Sequence, residues 1–401
     1  MKRLIRKSGS APISIGHSEI QRRARHLEKF VSYAPTAAVP PVTTDLDRLA
    51  ITWVIPDFVP GAGGHMTIFR IAHYLEKFGH KVHFLIQNPS EHKKAAAARE
   101  TINTHFQPFR GEVELFEGQT PDATGDALIA TDRFTCYPVE AMSGFHRKFY
   151  FVQDYEPAFY SAGAEALLSE ATYRFDFDCL CAGDWLDGIM REKYGRWSVS
   201  WPLAYDSAIY NLGNGSSAGQ PDRSQNRIAL YARYVTPRRA VELAFSALDV
   251  LHRHGVSFEV DFFGWDLGRL EVDYPFVDHG ILDGRQLAAL YRRAAIGVVF
   301  SATNHSLVNK EMMACGLPVV DLDVESVRAI FPEGVLAFAT PTPEGIADQL
   351  QYLLEDPQAR TRLRDGGLSY VAGLSWEKSA RMVEAAIRER VGWALERRGA
   401  A

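Results

Sequence analysis

Three stretches of this 401-residue chain bring together groups suited to holding an anion. In "YARYVTPRR", Arg233 leaves the end of an apolar run, and Arg238 and Arg239 open the next helical pattern. Cations in a first helical turn oppose the macrodipole, a penalty that a bound anion reverses. Two guanidiniums converging on a diphosphate also make bidentate hydrogen bonds; a solvated basic turn is the alternative. In "SATNHSLVNKEMMACGLPVVD", a polar loop enters a short helix predicted over "NKEMMACG". Backbone N–H groups around Leu307, Val308 and Asn309 point out of such a helix toward a phosphate or sugar oxygen. Glu311 either accepts hydrogen bonds from vicinal hydroxyls or serves only the helix dipole. His305 either donates to the same ligand or is a plain loop histidine. The third stretch, "VIPDFVPGAGGHMTIF", carries Gly61, Gly63 and Gly64 between a strand and a helix. It is not a dinucleotide loop, because Met66 stands where the third glycine belongs and the next strand ends in Gln87-Asn88 rather than a carboxylate. No Gly-Lys-Ser/Thr makes it a P-loop either. What remains is a helix N-terminus with a bare approach for an anion, or a tight turn without a ligand.

The elements that position these groups form two similar series. "AITWVI" and "KVHFLI" flank a helix with the apolar face Ile68, Ile71, Leu75 and Phe78, closed by Gly79, and "DALIAT", "KFYFVQ" and "FDCLCAG" follow as apolar runs ending in small or polar residues. The Gly- and Ser-rich segment 211–227 reads as a linker. The pattern then restarts with "IALYAR", "FEVDFFG", "IGVVFS" and "LPVVDL", separated by helical stretches. The prediction is an α/β protein of two doubly wound, Rossmann-like domains facing a cleft, with ligand contacts just past the strand ends. Its parts are a basic N-terminal extension (1–49), a first domain (50–210), the linker, a second domain (228–375) and a long amphipathic helix (376–398) that belongs to neither sheet.

With 46 % hydrophobic and 23 % charged residues the chain is globular, and a formal net charge of −5 argues against a nucleic-acid partner. No apolar run reaches the roughly 18 residues needed to cross a bilayer, and the first residues lack a signal-peptide core, so a cytoplasmic protein is expected. Cys136, Cys179, Cys181 and Cys315 lack metal-ligand spacing and read as buried, reduced thiols. Between Met1 and Phe30 eight Lys and Arg stand against Glu19 and Glu28. Ser18 and Gln21 resemble a capping box, and Ile20, Ala24, Leu27 and Val31 share one helical face. Such a helix either lies on an anionic membrane surface or docks on the protein body.

The order of elements, the Arg-x4-Arg at 233–238 where Arg-x4-Lys is usual, and "KEMMACGLPVVD" in place of "LEAMACGxPVV" resemble the nucleotide-sugar glycosyltransferases of GT-B fold, group 1 (family 4), over about residues 50 to 395. "FVQDYEPAFY" and "YRFDFDCLCAGDWL" look more like the rhamnosyltransferases of bacterial surface-polysaccharide assembly. The resemblance implies that Arg233 and Arg238 contact the donor diphosphate and Glu311 its ribose, with Gly63, Gly64, Gln153, His305, Ser306, Leu307 and Val308 around the donor. It implies a dTDP- or UDP-sugar donor, rhamnose above all, a saccharide or lipid-linked saccharide acceptor, no metal or other cofactor, and retention of configuration. Two positions depart from the pattern. Thr303 stands where many relatives have a glutamate that reads sugar hydroxyls, and Gln153 replaces a histidine that approaches the sixth carbon; a 6-deoxy sugar needs no such partner. Asp154 and Glu156 in "QDYEP" are candidates to orient the acceptor or take its proton, or else belong to a capped turn. A sugar-nucleotide epimerase or hydrolase, and a non-catalytic nucleotide-binding subunit, are the competing readings on one scaffold.

Overall fold

The computed structural model describes residues 17–213 and 226–399. Lys2, Arg3, Arg6 and Lys7, and most of the predicted linker, lie outside them. The first sheet is wholly parallel: β1 (Ala50–Pro56), β2 (Lys81–Gln87), β3 (Glu112–Phe116), β4 (Gly125–Ala130), β5 (Phe145–Val152), β6 (Asp178–Ala182) and β7 (Ser198–Trp201), in the order β3-β2-β1-β4-β5-β6-β7. In its centre Trp53 pairs with Phe84 on one side and Ile129 on the other. Helices cover both faces, so the central strands are continuously apolar rather than alternating. The second sheet is also parallel: β8 (Arg227–Tyr231), β9 (Glu259–Phe263), β10 (Phe276–Asp278), β11 (Ile296–Val298), β12 (Val319–Leu322) and β13 (Ala337–Ala339), ordered β10-β9-β8-β11-β12-β13. Each sheet reverses its strand order once, between β1 and β4 and between β8 and β11. Crevices for ligands open at those points, at the carboxyl ends of the strands.

The helix Gly63–Lys77 buries Ile68, Ile71 and Leu75 against the first sheet, and Gly79 ends it at φ +105°. The long helix Trp376–Gly399 returns to the first half, where Ala380, Val383, Ile387 and Val391 join that core. Polar contacts fix its register: His80 Nε2 lies 3.0 Å from Glu384, and Arg147 and Arg390 both grip the buried Asp178.

The basic N-terminal helix spans His17–Val31. Its end docks on the first half through Phe30, whose ring lies 4.4 Å from that of Phe134, and Lys29 pairs with Glu117. Ile20 remains 61 % exposed, so the start of its apolar face is uncovered, whereas Leu27 is half-buried. Among the described residues no helix is long and apolar enough to cross a membrane. All four cysteines are buried, and none is joined to another. The pattern missed the helices Ala95–His105, Glu325–Arg328 and Pro357–Ala372 and the short strands β3, β7, β10 and β13. These strands have three to five residues and, apart from β13, are mostly half-exposed, so they carry little periodicity.

Candidate active site: a basic cleft at the ends of both sheets

A cavity of about 530 Å³ opens between the two halves and takes its walls from both. From the first half come Gly61, Gly63, Gly64, Gln153, Asp154 and Glu156. From the second come Arg233, Arg238, His305, Ser306, Leu307, Val308 and Glu311. The structure thus gathers every predicted site residue around one space. A larger groove of about 630 Å³ lies near His73, His80 and His83 at the opposite, amino ends of the first sheet's strands, where doubly wound sheets do not hold ligands. Among the described residues, the one grouping of metal-ligand type is His83, Glu112 and Glu114 on β2 and β3, away from the cleft.

The glycine loop divides by role. Gly61 has φ +83°, a backbone that favours glycine. Gly63 has nothing within 4 Å of a notional Cβ, and one at Gly64 would meet only the Gln153 carboxamide at 3.5 Å. No protein atom crowds these two positions, so their bare backbone faces open cleft. The helix they begin has Ala62 as N-cap with no side-chain hydrogen bond, which leaves its first N–H groups uncapped at the cavity wall.

The two arginines do not lie in an α-helical turn as predicted. Pro237–Arg239 is a 3-10 turn, and the α-helix begins only at Val241, after Ala240 in the left-handed region at φ +42°. Proline fixes the turn, and a β-carbon in that region is strained. The three arginines are held differently. Arg239 donates from Nη1 to the Phe300 carbonyl and Ser301 Oγ, both at 3.2 Å. Arg233 lies over the Trp265 ring at 4.9 Å and donates to Thr236 Oγ1 at 3.3 Å. Arg238 is the loosest: its Nε is 3.1 Å from Asp154 Oδ2 without an aligned hydrogen bond, and its guanidinium lies 4.4 Å from the centre of the Phe159 ring.

The helix predicted from Asn309 begins at Leu307, with Ser306 as its N-cap accepting from Val308 N at 3.3 Å. Ser306, three residues before Asn309, was the available capping signal. Asn309 anchors this helix by donating to the buried Asp321, which also accepts from Ser301 N. Burial pushes the Glu311 carboxyl up to about 7 against the pull of Arg70 from the first half and of the Tyr210 hydroxyl. Thr303 is buried, 6 % exposed, with no partner for Oγ1, and does not line the cleft.

Asp154 and Glu156 differ sharply. Asp154 Oδ1 accepts from Tyr155 N and from Asn304 N across the cleft, while Oδ2 faces Arg238. Glu156 is buried, with Oε2 accepting from Arg133 N at 2.8 Å and Oε1 from the Tyr150 hydroxyl at 3.0 Å. Burial, then the neighbouring Asp132 carboxylate, raises its acid well above the ordinary carboxylate range. Glu156 therefore sits in the wall with both oxygens engaged by protein donors, poorly placed to take a proton from an acceptor. His305, predicted to meet the ligand, has both ring nitrogens beside protein groups, Asn304 Oδ1 and Lys310 Nζ. Sequence reasoning did not single out Arg70, Tyr210 or Trp265, whose roles depend on contacts with residues far away in the chain.

Residues 238–385 match the family described as glycosyl transferase-like. The O-antigen biosynthesis protein RfbC of Myxococcus xanthus is 28 % identical over 339 residues, 81 % of this chain and 26 % of that protein. The D-inositol 3-phosphate glycosyltransferase of Frankia alni is 40 % identical over 101 residues, 24 % of this chain and 25 % of that one. The matches thus span about a quarter of the length of these curated relatives. Among solved structures, Anabaena HepE in complex with UDP and glucose superposes with a TM-score of 0.61 at 14 % identity, covering 87 % of this chain and all of that one. That likeness speaks for the fold, and the family match speaks for the half that carries the arginines and Glu311. Taken with the two parallel sheets and the returning helix, the likeness to solved structures shows the GT-B fold, and residues 238–385 within it are similar to a glycosyl transferase-like family.

Proposed function

We propose that the chain transfers a sugar from a nucleotide-sugar donor to a saccharide acceptor, free or lipid-linked, in bacterial polysaccharide synthesis. The observation that carries this reading is the meeting of Arg233, Arg238 and an N-terminal helix end with the bare Gly63–Gly64 backbone in one cleft. In this reading the two guanidiniums hold the diphosphate, with the N–H groups at Leu307 and Val308 beside them. Glu311 takes the ribose hydroxyls, and Gln153, Gly63, Gly64 and His305 border the sugar. The bond from the anomeric carbon to the diphosphate oxygen breaks with its electron pair passing to that oxygen, whose growing charge the arginines stabilise. The acceptor hydroxyl bonds to the same carbon from the leaving-group side and gives its proton to the departing diphosphate, which retains configuration. Asp154, once the diphosphate draws Arg238 away, is free to orient that hydroxyl.

The finer proposal is rhamnose from dTDP-rhamnose, with no metal required. Gln153, which replaces a histidine that approaches the sixth carbon, favours a 6-deoxy sugar, and RfbC is described by its role in O-antigen biosynthesis. HepE, solved with UDP and glucose, makes UDP the rival carrier. The basic N-terminal helix is proposed to bring a cytoplasmic protein to the inner membrane face, where lipid-linked acceptors lie. A thermal-shift screen of dTDP, UDP and GDP and their sugars tests the donor: saturation at 100 times Kd stabilises the native state by about 2.7 kcal/mol. No rise in midpoint with any nucleotide at millimolar concentration would refute the proposal.

A further inference from the structure

Lys310 stands where the resembled motif has an apolar residue, and its side chain is buried, at 1 % exposure, with no carboxylate at ion-pair distance among the described residues. Its Nζ lies 3.0 Å from His305 Nε2, and His305 Nδ1 lies 3.0 Å from Asn304 Oδ1. The Asn304 amide nitrogen lies 2.9 Å from the carbonyls of both Gln153 and Ala182, at the ends of β5 and β6 in the other half. The direction of this chain is dictated by its last members. The Gln153 and Ala182 carbonyls only accept, so both amide hydrogens of Asn304 turn to them; Asn304 Oδ1 then accepts from His305 Nδ1, and His305 Nε2 accepts from Lys310 Nζ. Reversed, the Asn304 oxygen would face two carbonyl oxygens, with no donor among them.

An independent feature marks this place as one where the halves approach closely. Gly183, the residue after β6, has φ +103°, and a Cβ there would lie 2.6 Å from Ile330 Cδ1 and 3.2 Å from His305 Cε1. The His305 ring is clamped from the other side by an edge contact with Phe331, 5.7 Å between centres. Asn304 N also donates to Asp154, so the same loop bounds the cleft beside Arg238. Burial lowers the Lys310 amine to about 7, a cost the fold bears without a compensating carboxylate in contact.

We propose that Lys310 is a positioning residue that acts through His305 to orient the Asn304 carboxamide, and that this relay locks the two halves in the closed arrangement that brings Asp154 beside Arg238. The site it shapes is that of the proposed transferase, but the lock itself requires no turnover. Dyes placed on the two halves, one on the exposed helix face of each, report the interdomain distance in the full chain without nucleotide. Lys310→Met and Asn304→Ala should each shift the closed-to-open ratio by roughly five- to thirtyfold, the worth of one or two hydrogen bonds. The double variant should shift it no further than Asn304→Ala alone, because Lys310 then has nothing left to orient. Asn304→Asp keeps the shape but replaces the donating amide with an oxygen, and should open the cleft as much. An unchanged distance distribution in Asn304→Asp, or full additivity in the double variant, overturns the proposal. Nucleotide binding followed by thermal shift on the same variants separates this outcome from failure of the donor assignment: a chain that binds no nucleotide can still show the lock, and one that binds it normally can still lack it.

Discussion

Two adjacent arginines should respond in opposite ways to the same substitution. Arg238 has a one-third exposed side chain and a single ion pair at 3.1 Å without an aligned hydrogen bond. An exposed pair of this kind contributes about 0.2–1 kcal/mol, and a loss of 1 kcal/mol moves Tm by about 2–4 °C for a domain of 150–250 residues. Arg238→Ala should therefore change Tm by no more than about 4 °C. If its guanidinium stabilises the leaving diphosphate, the same change removes about 3–4 kcal/mol from the transition state, roughly a hundredfold to a thousandfold in rate. The loss should appear in kcat as well as kcat/KM. Arg239 instead ties the turn to the end of β11 through two hydrogen bonds from one charged nitrogen. Bonds to charged groups are worth about 1.5–3 kcal/mol, so Arg239→Ala should lower Tm by about 3–12 °C. Arg238→Lys should restore part of the activity, since the resembled family uses lysine there. Arg233→Lys should restore less, because an ammonium cannot lie flat on Trp265 as the guanidinium does. Differential scanning fluorimetry without ligand and steady-state transfer assays separate the two effects. Near-wild-type kcat/KM in a folded Arg238→Ala protein would refute the diphosphate assignment.

Three further outcomes follow from particular contacts. Burial raises the pKa of Glu156, so the stability its proton confers is complete below the unfolded carboxylate range and is lost as pH rises through the raised folded value; Glu156→Gln should gain on the wild type between pH 5 and pH 9 in denaturant midpoints, and parallel pH curves would exclude a protonated Glu156. Transfer activity should survive exhaustive chelation, and a loss restored by magnesium or manganese would show that the arginines do not suffice. Deleting residues 1–31 should abolish co-sedimentation with anionic vesicles while leaving the nucleotide thermal shift intact, and undiminished vesicle binding would reject a membrane role for that helix.

The architecture was legible because parallel strands buried on both faces are continuous apolar runs, and because Gly79 and Pro237 punctuate them. The arginine pair, Glu311 and the glycine loop were legible for a related reason: in doubly wound folds the residues just past strand ends line the crevice, so order along the chain suffices to find them. What each side chain does with its hydrogen bonds was not legible. Arg238 and Arg239 are neighbours in sequence, yet one is loose toward the cleft and the other tethered beneath it, because only Arg239 reaches the end of β11. Asp154 and Glu156 sit two residues apart and look alike as carboxylates, but one faces the opposite half and the other a buried tyrosine. The relay from Lys310 to Asn304 joins residues 304–310 to positions 153 and 182, separations that no local pattern encodes. Periodicity reports which face of an element is buried; which atom meets which across the cleft is decided only when two domains, each folded by its own core, are brought together.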